Sequence, residues 1–406
     1  MNIEELREYC LSKKQVEEGL PFGEDTLVFK VCNKMFALTS LKGDFSVNLK
    51  CDPERAIELR EEYSCITPGF HMNKKHWNTV KIDGEISNNK IKELIDLSYN
   101  LIVNKLSKKE RENLISEKME TQTSILEAYE YKLSDDEISF ELDGTICTGL
   151  KNHYNRSTLS LLHSFIDHTS LGSTDNEESV RKFLNRLKDS LKDKNIEPVA
   201  AVCVFPKYIE LCKQELGLSG IKIACVAGGF PYVQTFKEVR ELECKMAIKA
   251  GCDEIDIVIP IGEAFSDDMS VLRKDLRRMR KICVNKTLKV ILETGELKDS
   301  ERIFAVSMIA MEEGADFIKT STGKVAINAT PEAVYVMAYA VKKFSEKTGK
   351  MVGIKVAGGV SSSTKAIQYF SIINHVLGKE WLYNKYFRIG TSSLTYNLQQ
   401  ESATLN

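Results

Sequence analysis

Two lysines in the last quarter of the chain stand where a lysine is costly. Lys319 follows Phe317-Ile318 and Lys355 follows Gly353-Ile354, so each ammonium group interrupts a short apolar run of the kind found in buried strands. A desolvated amine beside a second cation loses its proton more easily, and a neutral lysine amine adds to carbonyl groups. Burying a lysine charge costs free energy, so we favour a functional over a structural role for both residues. The pair indicates Schiff-base chemistry.

Two carboxylates occupy comparable places in other apolar runs. Asp256 lies in the run Glu254 to Ile259, and Asp167 ends the run that starts at Ser164. We expect Asp256 to move protons to or from Lys355 or a water molecule, although a buried aspartate also serves as an internal hydrogen-bond acceptor. We expect Asp167 to bind substrate hydroxyls or to orient the lysines.

Glycines and hydroxyl groups follow the last three apolar runs. They are Gly323 after Ser321-Thr322, then Gly358 and Gly359, then Gly390 with Ser392 and Ser393. Glycine lets the backbone approach a ligand closely, and free backbone amides bind anions. The sequence therefore predicts a phosphate site beside the lysines, and Lys324 reads equally well as a phosphate contact or as a solvated lysine.

The elements that must position these residues form a regular pattern from about residue 150 onward. Short apolar runs alternate there with amphipathic helical stretches. The runs are Ser164 to Asp167, Ala200 to Phe205, Ile221 to Val226, Glu254 to Ile259, Leu288 to Glu293, Phe317 to Thr320, Gly353 to Val356 and Phe387 to Ile389. Eight such units in about 250 residues predict a closed (β/α)8 TIM barrel, with reactive side chains at the carboxyl ends of the strands. An open doubly wound sheet is the alternative, and no Gly-x-Gly-x-x-Gly turn follows the first run to support it.

Around these residues the chain resembles the deoxyribose-phosphate aldolase family, over roughly residues 155 to 400 and in the family's order. The matching stretches are Asp167 to Thr169, Ala201 to Pro206, Gly251 to Asp256, Ile291 to Leu297, Phe317 to Lys324, Lys355 with Gly358-Gly359, and Gly390 to Ser393. The resemblance implies an α/β barrel enzyme, a class I aldolase that reversibly cleaves 2-deoxy-D-ribose 5-phosphate to D-glyceraldehyde 3-phosphate and acetaldehyde. It implies no metal and no other cofactor.

The resemblance also implies roles for individual residues. Lys319 would be the Schiff-base lysine, Lys355 would lower its pKa and Asp256 would relay protons. The predicted substrate contacts are Asp167, Thr169, Cys203, Thr320, Gly323, Lys324, Gly358, Gly359, Gly390, Ser392 and Ser393. Among them, Cys203 reads better as a small buried hydrophobe. One departure is that Ser361-Ser362-Ser363 stands where many relatives have an arginine after the double glycine.

The first part of the chain, residues 1–111, reads as a small separate α+β domain. Pro68 to Asn78 and Phe22 to Glu24 resemble the MmcQ/YjbR family, which implies a CyaY-like fold for which DNA binding has been suggested. Residues 1–115 hold 18 Lys plus Arg against 19 Asp plus Glu, a net charge of −1 without the basic excess of a nucleic-acid-binding surface. We therefore favour an interaction or structural module with Trp77 in its core.

Residues 112–149 are predicted to be an acidic linker before the barrel at residues 150–406. Between residues 112 and 145, ten carboxylates face only Lys118 and Lys132, which suits a solvated spacer with a short helix around Ile125 to Tyr131. The three segments together predict two domains and a connection.

Composition limits the partners and the location. The 406 residues carry a formal net charge of −2, with no basic amino-terminal signal and no apolar run that could span a membrane. Eleven scattered cysteines without a C-x-x-C pair read as reduced thiols, and six histidines show no metal-ligand spacing. We expect a cytoplasmic protein that binds a sugar phosphate and an aldehyde, without membrane partners and with a homo-oligomer allowed.

Two alternatives to this function stay open from the sequence. The chain could be a regulatory protein that senses a sugar phosphate or binds nucleic acid through its first domain. It could also be a Schiff-base aldolase for another pair of aldehydes. A complete set of two lysines and Asp256 argues against an inactive barrel.

Overall fold

The computed structural model describes residues 1–107, 120–191 and 197–405. The chain divides into two compact units, Met1–Lys118 and Met119–Asn406, and each is considered by itself. Within the described ranges, no helix has both the length and the apolar character needed to cross a membrane.

Over residues 1–107, the first unit is a six-stranded antiparallel sheet with three helices. The helices are α1 (Ile3–Leu11), α2 (Pro53–Glu62) and α3 (Asn88–Val103). The strands are β1 (Val16–Gly19), β2 (Thr26–Val31), β3 (Lys34–Ser40), β4 (Ser46–Lys50), β5 (Ile66–Pro68) and β6 (Trp77–Lys81), in the order β1-β2-β3-β4-β6-β5. Cys32 and Asn33 make the β2–β3 turn with φ of 47° and 59°, the left-handed backbone that a tight two-residue hairpin requires.

The core of the first unit explains where its helices lie. Apolar side chains of α1, α2 and α3 pack with those of one sheet face, including Leu6, Leu59 and Ile95. Trp77 is buried in a second cluster with Val28 and Leu38, which agrees with its expected place in the core.

The second unit is built on a closed barrel of eight parallel strands. The strands are β7 (Ile166–Thr169), β8 (Ala201–Val204), β9 (Lys222–Ala227), β10 (Glu254–Val258), β11 (Thr287–Ile291), β12 (Phe317–Lys319), β13 (Gly353–Ala357) and β14 (Phe387–Thr391). The predicted fold class, a TIM barrel preceded by a small α+β unit, is confirmed. The first strand starts later than expected, because Ser164 is the last residue of a helix and its hydroxyl bonds the carbonyl of Leu161.

Helices surround the barrel and bury their apolar faces against it. They are α4 (Gln122–Ala128), α5 (Asp135–His153), α6 (Arg156–Ser164), α7 (Glu177–Ser190), α8 (Ile209–Leu216), α9 (Lys237–Ala250), α10 (Ser270–Ile282), α11 (Thr294–Leu297), α12 (Ser300–Glu312), α13 (Pro331–Thr348), α14 (Ser363–Leu377) and α15 (Leu394–Thr404). Thr330 caps α13 and Pro331 occupies its first turn, as the sequence predicts. One continuous apolar core joins the helices to the strands.

The segment predicted to be a solvated linker differs from that prediction over residues 120–149. Two helices, α4 and α5, occupy most of it, and Ile125, Ile138 and Leu142 are buried in the barrel unit's core. The carboxylates dominate the composition, but the apolar residues recur at helical spacing and form a buried stripe. Residues 112–119 of the predicted linker lie outside the described residues, and the exact domain boundaries stay a prediction.

Candidate active site

The two lysines singled out by the sequence are neighbours in the barrel. Lys319 ends β12 and pairs in register with Lys355 on β13, and both side chains are buried. Their ammonium nitrogens converge on one oxygen, since Lys319 Nζ and Lys355 Nζ each lie 2.8 Å from Asp256 Oδ2. Lys355 Nζ also lies 2.5 Å from Asp167 Oδ2. Four strands, β7, β10, β12 and β13, thus bring two lysine amines and two carboxylates into direct contact.

A second layer of buried charges lies below this group. Lys289 on β11 contacts Glu254, reaches Asp256 Oδ1 at 3.1 Å and reaches Asp167 Oδ2 at 3.3 Å. Arg388 on β14 donates from Nη1 to Asp167 Oδ1 at 2.5 Å and from Nη2 to Glu254 Oε1 at 3.0 Å. The sequence reasoning missed Lys289, Glu254 and Arg388 as site residues. Their signal was present, because each charge interrupts an apolar strand in the same way as Lys319.

The environment pushes the pKa values of the two lysines in opposite directions. Burial lowers the pKa of Lys319 and the charge of Lys355 lowers it further, although Asp256 opposes this. Burial also favours neutral Lys355, but Asp167 and Asp256 outweigh it and the pKa of Lys355 is raised. Burial disfavours an ionised Asp256, yet the lysines around it hold its pKa well below the usual range. Pairs of titratable groups whose pKa values are separated in this way mark acid and base roles.

A cleft of about 490 Å³ opens above Lys319 at the carboxyl ends of the strands. Nine of the predicted site residues line it. They are Thr169, Lys319, Gly323, Lys324, Gly358, Gly359, Gly390, Ser392 and Ser393. The structure therefore brings the candidate nucleophile and the glycine and serine loops to one space.

One wall of the cleft presents free backbone amides. We call residues 358–361 the glycine loop, and it begins with two positive φ values, 91° at Gly358 and 78° at Gly359. Side chains donate hydrogen bonds to three of its carbonyl oxygens. The pairs are Lys365 Nζ with Gly359 O, Thr391 Oγ1 with Val360 O and Asn397 Nδ2 with Ser361 O. The four amides of the loop have no acceptor among the residues that the structure describes. Successive amides left free in this way form an anion-binding concavity.

The other five predicted site residues, Asp167, Asp256, Lys355, Cys203 and Thr320, do not line the cleft. Asp167 and Asp256 are fully buried and act on the lysines. Cys203 sits in an apolar cluster, as the more conservative interpretation expected, and burial raises the pKa of its thiol. The Thr320 hydroxyl donates to the carbonyl of Ala357, so it ties β12 to β13. None of Asp167, Cys203 and Thr320 lines the cleft, and their roles as direct substrate contacts stay predictions.

Glu293 fixes the loop that follows Lys319. It adopts a left-handed backbone, with φ of 58°, two residues after the end of β11. Its carboxylate accepts hydrogen bonds from the amide and the hydroxyl of Thr322. Burial raises the pKa of Glu293. Strained backbone at such a position is typical of sites where a loop must be held in one conformation.

A larger cavity of about 1050 Å³ lies at the opposite, amino-terminal end of the barrel strands. Its lining includes Glu254 and Arg388 but neither Lys319 nor Lys355. In TIM barrels, the chemistry occurs at the carboxyl ends of the strands. We therefore assign the candidate site to the smaller cleft.

Comparison with known families agrees with both units. The family model described as DeoC/LacD family aldolase matches residues 162–370, and the model described as YjbR matches residues 11–101. The deoxyribose-phosphate aldolases of Homo sapiens and Bos taurus are each 36% identical to the chain over 263 residues, covering 62% of this chain and 83% of theirs.

Solved structures resemble the barrel unit. The aldolase QR15 is 26% identical with a TM-score of 0.50, covering 60% of this chain and 96% of that one. A tetrameric deoxyribose phosphate aldolase from Aeropyrum pernix is 23% identical with a TM-score of 0.50, covering 67% of this chain and 99% of that one. At that identity, the second likeness bears on the fold alone.

Proposed function

The chain belongs to the DeoC/LacD family of aldolases, and from this premise we propose that Lys319 is the amine through which it cleaves 2-deoxy-D-ribose 5-phosphate. The reaction is reversible and yields D-glyceraldehyde 3-phosphate and acetaldehyde. The observation that carries the assignment is the shared contact of two lysine amines with Asp256, of which the Lys319 amine has the lowered pKa and lines the cleft.

The first half of the reaction uses the neutral amine of Lys319. The amine adds to the C1 aldehyde of the open-chain sugar and gives a carbinolamine, which loses its hydroxyl as water to form an iminium ion. The bond between C2 and C3 then breaks, and its electron pair moves toward the iminium nitrogen to give an enamine. The C3 hydroxyl loses its proton as C3 becomes the aldehyde of D-glyceraldehyde 3-phosphate. An amine is effective in the first step only when unprotonated.

Lys355 and Asp256 supply and remove protons around this amine. The raised pKa of Lys355 keeps it cationic, so it can protonate the departing carbinolamine oxygen. Asp256 touches both amines through one oxygen, and can pass the proton between them or to a water. Protonation of C2 of the enamine and hydrolysis of the resulting iminium release acetaldehyde and restore the Lys319 amine.

The phosphate of the substrate would occupy the glycine-loop side of the cleft. We expect the free amides of residues 358–361 to bind it, and Gly323, Gly390 and Ser392 line the same cleft. This arrangement fits a phosphate because backbone amides are hydrogen-bond donors that stay protonated at any physiological pH.

Reductive trapping tests the assignment. The protein is incubated with 2-deoxy-D-ribose 5-phosphate, reduced with borohydride, digested and mapped by mass spectrometry. We expect one adduct, on Lys319, and none in Lys319→Ala, while Lys350→Met, which removes an exposed lysine, labels like the wild type. An adduct on another lysine, or no adduct with active protein, would contradict the assignment.

We also propose a cytoplasmic location and self-association of the barrel. All eleven cysteines lie in described ranges and are free thiols, which suits a reducing compartment.

On the outer face of α9, Val239, Leu242 and Met246 are 50%, 56% and 62% exposed at helical spacing, and a second copy of the chain would cover them. Sedimentation of the wild type and of Leu242→Glu measures this, and a monomeric wild type refutes it.

A further inference from the structure

The glycine loop is contacted from behind by a lysine that the family resemblance did not identify. We propose that Lys365, at the start of α14, supplies the positive charge by which the cleft prefers a phosphorylated sugar over an unphosphorylated one. The inference deepens the proposed function and rests on it, because it concerns the phosphate of the same substrate.

The position of Lys365 is defined by its contacts with the loop. Its Nζ lies 3.1 Å from the carbonyl oxygen of Gly359, and its own amide donates to Oγ of Ser362, the residue that caps α14. The ammonium group is therefore held against the carbonyl of a residue that lines the cleft, while Lys365 itself lies outside the lining. Among the described residues it forms no ion pair with a carboxylate, so its charge is uncompensated.

The charges that line the cleft do not suffice for a phosphate dianion. Three ionisable side chains line it, namely Lys319, Lys324 and Asp175. Lys319 must be neutral to react, and the charges of Lys324 and Asp175 cancel. Without Lys365, a group carrying about two negative charges would meet backbone and hydroxyl dipoles but no net positive charge, whereas an ammonium group strengthens such a site considerably.

The location of Lys365 in its helix is unfavourable unless an anion is bound. It lies in the first turn of α14, where the aligned peptide dipoles already present positive partial charge, and that turn has no acidic residue. A phosphate in the cleft would reverse this repulsion, since it attracts both the ammonium group and the helix terminus. A ligand-binding role accounts for a cation at this place.

The sequence around the loop offers no other charge for this role. Val360 to Thr364 follow the double glycine without an ionisable residue, and Lys365 is the first one after it. Its side chain reaches back to Gly359 from the first turn of α14.

The test uses the full chain and separates phosphate from sugar. Calorimetry measures the Kd for inorganic phosphate, and a coupled assay measures kcat/KM for 2-deoxy-D-ribose 5-phosphate and for 2-deoxy-D-ribose. Lys365→Met is compared with Lys365→Arg, which keeps the charge, and with Lys350→Met, which removes an exposed lysine that does not line the cleft.

We expect Lys365→Met to weaken phosphate binding and to lower the ratio of the two kcat/KM values, each by about two- to fivefold, the size of effect that a partly screened charge gives. Lys365→Arg should recover most of both losses, and Lys350→Met should match the wild type. Unchanged phosphate binding in Lys365→Met, or an equal loss with both sugars, would overturn the proposal. A wild type that cleaves neither sugar but binds phosphate through Lys365 would overturn the proposed function alone.

Discussion

Lys319 and Lys355 look alike in the sequence and differ in the structure because of their carboxylate neighbours. Both share Asp256, but only Lys355 also contacts Asp167, at 2.5 Å. That additional anion keeps Lys355 protonated, while burial leaves Lys319 with a lowered pKa. The predicted crowding of two cations therefore explains only part of the lowered pKa of Lys319. Burial is the larger cause, and the Asp256 carboxylate contacts both amines.

Replacing Lys355 with methionine tests this division of roles. The change removes a positive charge that lowers the pKa of Lys319 and leaves Asp256 closer to Lys319 alone, and both effects raise that pKa. The acid limb of the kcat/KM profile should therefore move to higher pH, and kcat/KM at neutral pH should fall about a hundredfold or more. Lys355→Arg keeps the charge and should leave the limb near its wild-type position. A Lys355→Met limb that coincides with the wild type would refute the electrostatic coupling.

The sequence predicted the lysines and aspartates around Lys319. It did not predict the second layer of buried charges below them, formed by Lys289, Glu254 and Arg388. Lys319, Lys355, Asp256 and Asp167 were found because a charge on a barrel strand is unusual. Lys289 passes the same criterion, yet nothing local shows that its partner is Glu254 on the neighbouring strand. Ion pairs between strands depend on register and strand order, which the closed barrel sets and single runs do not reveal.

The lower layer should matter for stability more than for chemistry. Lys289 is fully buried among Glu254, Asp256 and Asp167, so Lys289→Met leaves these carboxylates undercompensated. We expect a loss of roughly 3–5 kcal/mol in the free energy of unfolding. Lys286→Met, a partly exposed position just before the same strand, should change it by less than about 0.5 kcal/mol. Equal denaturation midpoints for the two variants would show that the buried charges do not depend on Lys289.

At the level of elements, strands were easier to predict than the helices that precede the barrel. Eight buried runs have an obvious apolar signal, and all eight strands formed at or near the expected places. A short helix was predicted around Ile125 to Tyr131, and α4 lies close to it at Gln122–Ala128, whereas α5 was hidden by its carboxylates because a charged surface and a solvated linker have the same composition. Only its buried stripe, formed by Ile138, Leu142 and Gly149, distinguishes α5 from a solvated linker.

Gly149 marks how closely α5 packs on the barrel unit. A side-chain Cβ at this position would lie 2.0 Å from Ser371 Oγ on α14. Gly149→Val should therefore reduce the free energy of unfolding by about 1–3 kcal/mol, as overpacking does. In the same helix, Gly144 has nothing within 4 Å, so Gly144→Ala should stabilise by up to about 1 kcal/mol. Chemical denaturation measures both, and a neutral Gly149→Val would argue that α5 is only loosely attached.

At the level of the whole molecule, the described residues of the site all belong to one of the two units. Each unit has its own buried apolar cluster, and every described residue of the charge network and of the cleft lies in Met119–Asn406. We propose that the units are separate domains, with the first close to the predicted residues 1–111. The YjbR match covers only that first part.

A protein limited to residues 119–406 tests the independence of the barrel. We expect it to fold and to keep kcat/KM for 2-deoxy-D-ribose 5-phosphate within about twofold of the full chain. A fall in kcat/KM reports lost stabilisation of the transition state, and every residue that lines the cleft is present in this fragment. Circular dichroism provides the control for folding. A folded but inactive fragment would mean that the first unit takes part in the reaction.

The proposed reaction depends most on a neutral Lys319 amine at neutral pH. Competitive trace labelling by reductive methylation, read residue by residue with mass spectrometry across a pH series, titrates individual lysines directly. Lys319 should become reactive at a lower pH than exposed Lys350, and Lys355 should become reactive at a higher pH than Lys319. A Lys319 that titrates with or above Lys350 would contradict the account.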